Sequence, residues 1–288
     1  EGGSKGTILI SLGHADKARD AFCMYIDALL SVSMMAPAEM IDYKAQREML
    51  FLGPDEGTAE YMDWAALYAR EAGYEHWKAF TTGKSPSLGG IPHDSYGMTT
   101  RSVHQYVLGC LRKLGMNESE VTKFQTGGPD GDLGSNEILI SNDRTVGIVD
   151  GSGVLYDRNG IDRDELARLA KQRRMVENFN RGRLSNEGFL ITINETDVSL
   201  PIVGHVESGL HFRNSFHLHP LASADVFVPC GGRPEAVNVR NVDQLLDDAG
   251  VPKFRIIVEG ANLFFTQEAR AFLEERDVVL YKDASANK

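Results

Sequence analysis

The chain has 288 residues, 42% hydrophobic and 25% charged, which suits one large or two ordinary soluble globular domains. Its net charge of −11 argues against a nucleic-acid surface, which needs clustered Lys and Arg, and an anionic substrate would require a local cationic pocket. No stretch approaches the roughly 18 apolar residues of a membrane span, and the three scattered cysteines, Cys23, Cys110 and Cys230, suggest neither a disulfide framework nor a zinc pattern. A reducing compartment follows, and the mitochondrial matrix and the cytoplasm fit equally well. The chain opens on Glu1 inside a glycine-containing stretch, with no signal peptide visible, and reads as an excerpt from a longer protein.

In chain order, residues 7–12 (TILISL) read as a short strand and 15–35 as a helix. Gly53-Pro54 punctuates, and Asp55 stands where an N-cap would stand for an amphipathic helix running to about Gly73. Residues 81–97 are dense in Gly, Pro and Ser and read as a long loop or hinge. A helix over 99–114 carries Val103, Val107, Cys110, Leu111 and Leu114 at helical spacing. From there strands alternate with helices. The expected strands are 123–128, 145–151, 188–193, 224–231, 254–261 and 278–285, and the expected helices 162–176, 239–249 and 266–276. That alternation implies an α/β fold with a doubly wound, mostly parallel Rossmann-type sheet. The span 176–222 reads as an irregular insertion.

Two signals point to a dinucleotide. The cluster Gly127-Gly128-Pro129-Asp130-Gly131-Asp132-Leu133-Gly134 follows a predicted strand, and glycines there let the backbone turn tightly against a pyrophosphate met by a helix N-terminus. Its spacing, Gly128, Gly131, Gly134, is one residue longer in the first gap than G-x-G-x-x-G, so alone it also fits an ordinary turn. Asp150, which follows Gly131 by 19 residues, is placed to accept from the adenosine ribose hydroxyls and to repel a 2′-phosphate, favouring NAD over NADP, although a solvated turn aspartate would also suit Asp150-Gly151-Ser152-Gly153. Lys5, between glycines, can approach a substrate closely and, if desolvated, serve carbonyl chemistry. Asp55 taken alone reads as an N-cap. His217-x-His219 lacks a neighbouring carboxylate or Cys, so no metal site is expected, and the basic run Lys171-Gln172-Arg173-Arg174 reads as a solvated helix end. Trp64 and Trp77 read as packing residues.

Taken in order, EGGSKGT, GPDEGT, TGK-x4-GGI, Thr99-Thr100-Arg101, the glycine turn with Asp150, and EGAN at 259–262 resemble the glutamate dehydrogenase family, in the wording of the large-subunit NAD-dependent class. The resemblance implies oxidative deamination of L-glutamate to 2-oxoglutarate and ammonia with NAD, the nearest rivals being a leucine- or phenylalanine-type dehydrogenase and a non-catalytic NAD-binding module. It implies that Lys5 activates the attacking water and Asp55 shuttles protons. It places Thr99 at the nicotinamide carboxamide, Asn262 near the nicotinamide ribose, Asn287 near the cofactor, and Gly128, Gly131, Gly134 and Asp150 at the dinucleotide. Gly89 and Gly90 fall in a substrate cleft. The domains expected are 1–85, the end of a substrate domain, and 86–288, the NAD-binding domain. A homo-oligomer acting on small molecules, away from nucleic acid and membrane, is implied as well.

Overall fold

The computed structural model describes residues 6–35, 41, 43, 49–53 and 58–287. The chain divides into two compact units, Glu1–Tyr96 and Gly97–Lys288.

In the first unit, α1 (Ala18–Ser33) packs on α2 (Tyr61–Glu71). Ile26 and Leu30 of α1 meet Ala65 and Ala69 of α2, where small side chains let the helices approach, and Tyr74 and Phe80 close the core. Trp64 stacks on Tyr68 at 5.0 Å, and Trp77 packs beside the same core. Residues 7–11 form no strand. The apolar run finds no ladder partner among the described residues, and Leu9 and Leu12 are exposed.

The second unit opens with α3 (Met98–Leu114), then β1 (Thr122–Thr126), α4 (Asp132–Ile140), β2 (Arg144–Val149), β3 (Gly153–Asp157) and α5 (Arg163–Gln172). There follow β4 (Gly188–Thr192), β5 (Thr196–Leu200), β6 (Gly204–Ser208) and α6 (Gly209–Ser215). The unit ends with β7 (Ala224–Pro229), β8 (Phe254–Val258), α7 (Gln267–Glu274), β9 (Val279–Tyr281) and α8 (Asp283–Ala286). Seven strands form one sheet in the order β4-β3-β2-β1-β7-β8-β9. Strands β2, β1, β7, β8 and β9 are parallel, while β3 and β4 each run antiparallel to the neighbour before them. From β1 the chain winds outward to β2 and returns across it to β7. The carboxyl ends of β1 and β7 are therefore the topological switch point, where open α/β sheets bind ligands.

Both faces of the sheet are covered. Val103, Val107 and Leu111 of α3 pack on Val226, Val228, Ile256 and Val258, and Leu166 and Leu169 of α5 pack with Ile138 and Ile148. On the opposite face Phe124, Phe216, Phe227, Phe254, Phe264 and Phe265 form an aromatic core. Burial on both sides explains the near-continuous Val/Ile/Phe composition of β7 and β8.

Three features of the second unit differ from the sequence reading. Strand β3 was missed because its apolar run is only Val-Leu-Tyr directly after a glycine-rich turn, yet every residue in it is buried. The helix expected at 239–249 is only a single turn at Val242–Leu245. There Asn238 and Asp247 side chains accept the Arg240, Ala249 and Val251 N–H groups and so compete with helix formation. The span 176–222 is more ordered than expected, holding β4, the β5–β6 hairpin and α6. Among the described residues no helix is long and apolar enough to cross a membrane.

Candidate functional site

The glycine cluster lies where β1 ends and α4 begins, at the switch point. Gly127 has φ +86, and a Cβ there would meet the backbone of Cys230 and Gly231 at 2.7 and 2.5 Å, so only glycine serves. A Cβ on Gly134 would strike the carbonyl oxygens of Gly127 and Gly128, so glycine lets the first turn of α4 sit directly on the loop. Gly128 abuts the carboxylates of Asp150 and Asp130. Gly131 is different. It is exposed with φ −74, and a Cβ there would meet only the Gly128 carbonyl, at 3.8 Å. Gly131 is the N-cap of α4, where glycine is among the favoured residues, and its missing side chain leaves the space over the helix N-terminus open.

Asp150 directly follows β2 but does not point freely outward. Its Oδ1 accepts from the Ser152 N–H (2.8 Å) and hydroxyl (2.7 Å), and its Oδ2 from the Val176 N–H (2.7 Å). Those bonds fill three of about four lone-pair positions. Burial pushes the carboxyl above its ordinary pKa, against the pull of the Val176 and Ser152 bonds. The alternative reading of a solvated turn aspartate fails, since the residue is only 5% exposed.

Three further motifs converge on this loop. The Thr100 hydroxyl donates to the Leu133 carbonyl (3.3 Å), bringing the first turn of α3, and with it the half-buried Thr99, to the start of α4. A Cβ on Gly260 would meet Leu133 at 3.0 Å, so the 259–262 loop lies against the same turn, with Asn262 exposed on it. The Asn287 amide donates to the Gly260 carbonyl. Thr99, Gly128, Gly131, Gly134, Asp150, Asn262 and Asn287 thus gather at one edge of one sheet. Gly89 and Gly90 belong to the first unit. Gly89 has φ +76, and a Cβ on Gly90 would overlap Lys84. Lys5 and Asp55 lie outside the described residues.

Sequence reasoning missed the groups that hold this edge in place. The fully buried Gln125 donates its amide to the Gly127 carbonyl (2.8 Å) and the Gly134 carbonyl (3.2 Å), clamping loop to helix. A polar residue inside an otherwise buried strand was the available signal. Behind the 259–262 loop, Arg270 makes a bidentate pair with the buried Glu259 (2.6 and 2.9 Å), and Asp283 accepts the N–H of Leu263, whose φ is +58. Their partners are distant in sequence, so no local pattern announced them. His217 and His219 serve packing, His217 edge-on to Phe264 and His219 stacked on Phe216.

The residues fit a dinucleotide. The α4 N-terminus offers its dipole and N–H groups, and Gly131 leaves the space open. Because Asp130 and Asp132 occupy the same turn, a pyrophosphate would be met by backbone N–H groups rather than by side-chain cations.

Comparison with known proteins agrees with this geometry. Residues 89–288 match the family model described as Glutamate/Leucine/Phenylalanine/Valine dehydrogenase. Glutamate dehydrogenase 2 of Dictyostelium discoideum is 62% identical over 288 residues, covering 100% of this chain and 28% of that protein. The NAD-specific glutamate dehydrogenase of Neurospora crassa is 53% identical over 293 residues, again 100% and 28%. The chain therefore spans little more than a quarter of these relatives. A hetero-hexameric glutamate dehydrogenase from Thermus thermophilus matches in fold, with TM-score 0.60, 18% identity, and coverage of 93% of this chain and 52% of that one. A family match over more than two thirds of the chain and full-length identity above one half lead to one conclusion: the chain belongs to the glutamate/leucine/phenylalanine/valine dehydrogenase family.

Proposed function

We propose that this chain is the dinucleotide-binding part of an NAD-dependent dehydrogenase that deaminates L-glutamate to 2-oxoglutarate and ammonia. The observation that carries the reading is the convergence of the glycine turn, Asp150, Thr99, Asn262 and Asn287 at the switch point, each from a different sequence motif. The names of the relatives support glutamate and NAD.

When bound, NAD accepts the hydride from the substrate α-carbon. The chain's own residues bind and orient it. Gly128, Gly131 and Gly134 admit the pyrophosphate to the α4 N-terminus, and Asp150 meets the adenosine ribose through its remaining acceptor position. Thr99 and Asn262 fix the nicotinamide end, with Asn287 holding the 259–262 loop through Gly260. Lys5 assists the attacking water and Asp55 moves protons, and the Gly89–Gly90 pair supplies close backbone on the substrate side. The family resemblance supports these three assignments. Assembly into a homo-oligomer is part of the proposal, with light scattering on the full-length protein as its check.

The decisive experiment is an absorbance assay at 340 nm on the full-length protein, comparing glutamate with leucine and NAD with NADP. Glutamate-dependent reduction of NAD is expected. Preference for leucine would refute the substrate, and absence of any dinucleotide reduction would refute the reading as a whole.

A further inference from the structure

The turn that carries Asp150 is bordered by a cation in a chain of net charge −11. Arg213, on α6 of the inserted span, donates from Nε to the Asp150 backbone carbonyl at 2.6 Å and from Nη1 to Asn214 at 2.8 Å. Its Nη2 would lie 4.0 Å from a Cβ on Gly151, the next residue of the turn. The guanidinium thus bonds the neutral carbonyl of Asp150, not its carboxylate, and among the described residues no carboxylate pairs with it. It is half-buried, so its position is fixed while its outer edge stays accessible.

The basic run 171–174 directs the chain to the same place. It closes α5 and leads straight into Met175, whose side chain lies 3.5 Å from a Cβ on Gly151, and Val176, whose N–H binds Asp150. All four residues of the run are exposed. The run itself is solvated, as its sequence suggests, and it is the two residues after it that bind the turn. An arginine anchored by a neutral acceptor, with a planar donor edge and no protein anion, is suited to a phosphate.

We propose that Arg213 forms a latent site for a 2′-phosphate on the adenosine ribose, so that preference between the two nicotinamide dinucleotides rests on the Asp150 carboxylate beside that arginine. The inference rests on the reading of Asp150 as the ribose residue. Removing that one negative charge leaves an arginine already in place, and no second substitution is needed to admit the phosphorylated dinucleotide.

The test is titration of full-length protein with NAD and with NADP, in wild type, Asp150→Asn, Asp150→Asn/Arg213→Ala and Asp150→Asn/Arg213→Gln, with melting curves to confirm folding. Asp150→Asn is expected to tighten NADP by at least about tenfold, the scale of one charge-assisted hydrogen bond, and either Arg213 substitution is expected to abolish that gain. A gain that survives both Arg213 variants overturns the proposal, and so does an equal loss of NAD and NADP, which would make Arg213 a general adenosine contact. If Asp150→Asn weakens NAD yet gives no NADP gain, the latent site is refuted while the ribose reading stands. If Asp150→Asn leaves both affinities unchanged, the ribose reading falls and the latent site with it.

Discussion

Replacing Lys123 with Met should destabilise the region that carries the glycine turn, by an amount that grows with pH. Lys123 is the second residue of β1 and is 1% exposed, with Glu137 of α4 at 3.1 Å and Asp143 at 2.7 Å, themselves 0% and 8% exposed. At an effective dielectric of about 20 these separations correspond to roughly 5 and 6 kcal/mol of attraction, set against a desolvation cost of several kcal/mol per ion. The assembled cluster therefore contributes little net stability, whereas removing the lysine leaves two buried carboxylates unpaired, at a cost of about 3–5 kcal/mol. His104, 3.3 Å from Glu137, keeps the loss toward the lower end. The pH dependence follows from the shifts. Burial is the largest influence and would raise both carboxyls, but Lys123 together with His104 at Glu137, and with Thr145 and Ser141 at Asp143, outweighs it and holds them below their ordinary 3.8 and 4.5, so their contribution is fully present above those values and lost only as pH falls through the folded pKa. Without Lys123, burial wins, the folded pKa values lie above the unfolded ones, and stability is lost as pH rises through them. Hydrogen exchange of β1 and α4 amides in the full-length protein should show a penalty larger at pH 8 than at pH 5. A penalty equal at both, or below about 1 kcal/mol, would show that the lysine does not neutralise these two acids.

Three other outcomes are expected. Gly134→Ala forces a methyl onto the Gly127 and Gly128 carbonyls and should cost about 1–3 kcal/mol in melting experiments while weakening NAD binding by calorimetry; unchanged affinity would place the dinucleotide elsewhere. Lys5→Ala in the full-length protein should cut turnover by at least about 100-fold in the absorbance assay, and near-native turnover would remove its catalytic role. Burial lowers Lys253 to about 8, and its ammonium donates to the Leu218 and His219 carbonyls, each at 2.9 Å. Its folded pKa is below the unfolded 10.5, so the unfolded chain binds more protons in that window and stability should rise with pH from about 8 to about 10.5, a rise that Lys253→Met abolishes in melting curves.

The parallel core of the sheet and its switch point were legible in the sequence, because strands buried on both faces write themselves as Val/Ile/Phe runs and glycines mark where backbone must approach backbone. Gly127 and Gly134 can be nothing else, for steric reasons internal to the chain. Of the antiparallel margin only β4 was legible, as the strand expected at 188–193. β3 is short and emerges from a turn, and β5 and β6 stabilise each other as a hairpin with six of their ten residues exposed, so neither leaves a strong apolar period. Asp150 shows where sequence reading stops. Its spacing from the glycine turn indicated a ribose acceptor, but spacing says nothing about Val176, 26 residues on, which turns one carboxylate oxygen inward, or about Arg213, 63 residues on, which grips the carbonyl of the same residue. Both partners come from beyond β3, a strand the spacing argument did not contain. The hairpin from β2 to β3 bends the chain so that the residues following α5 meet that turn, and α6, late in the inserted span, brings the remote arginine to the edge where a dinucleotide's ribose would lie.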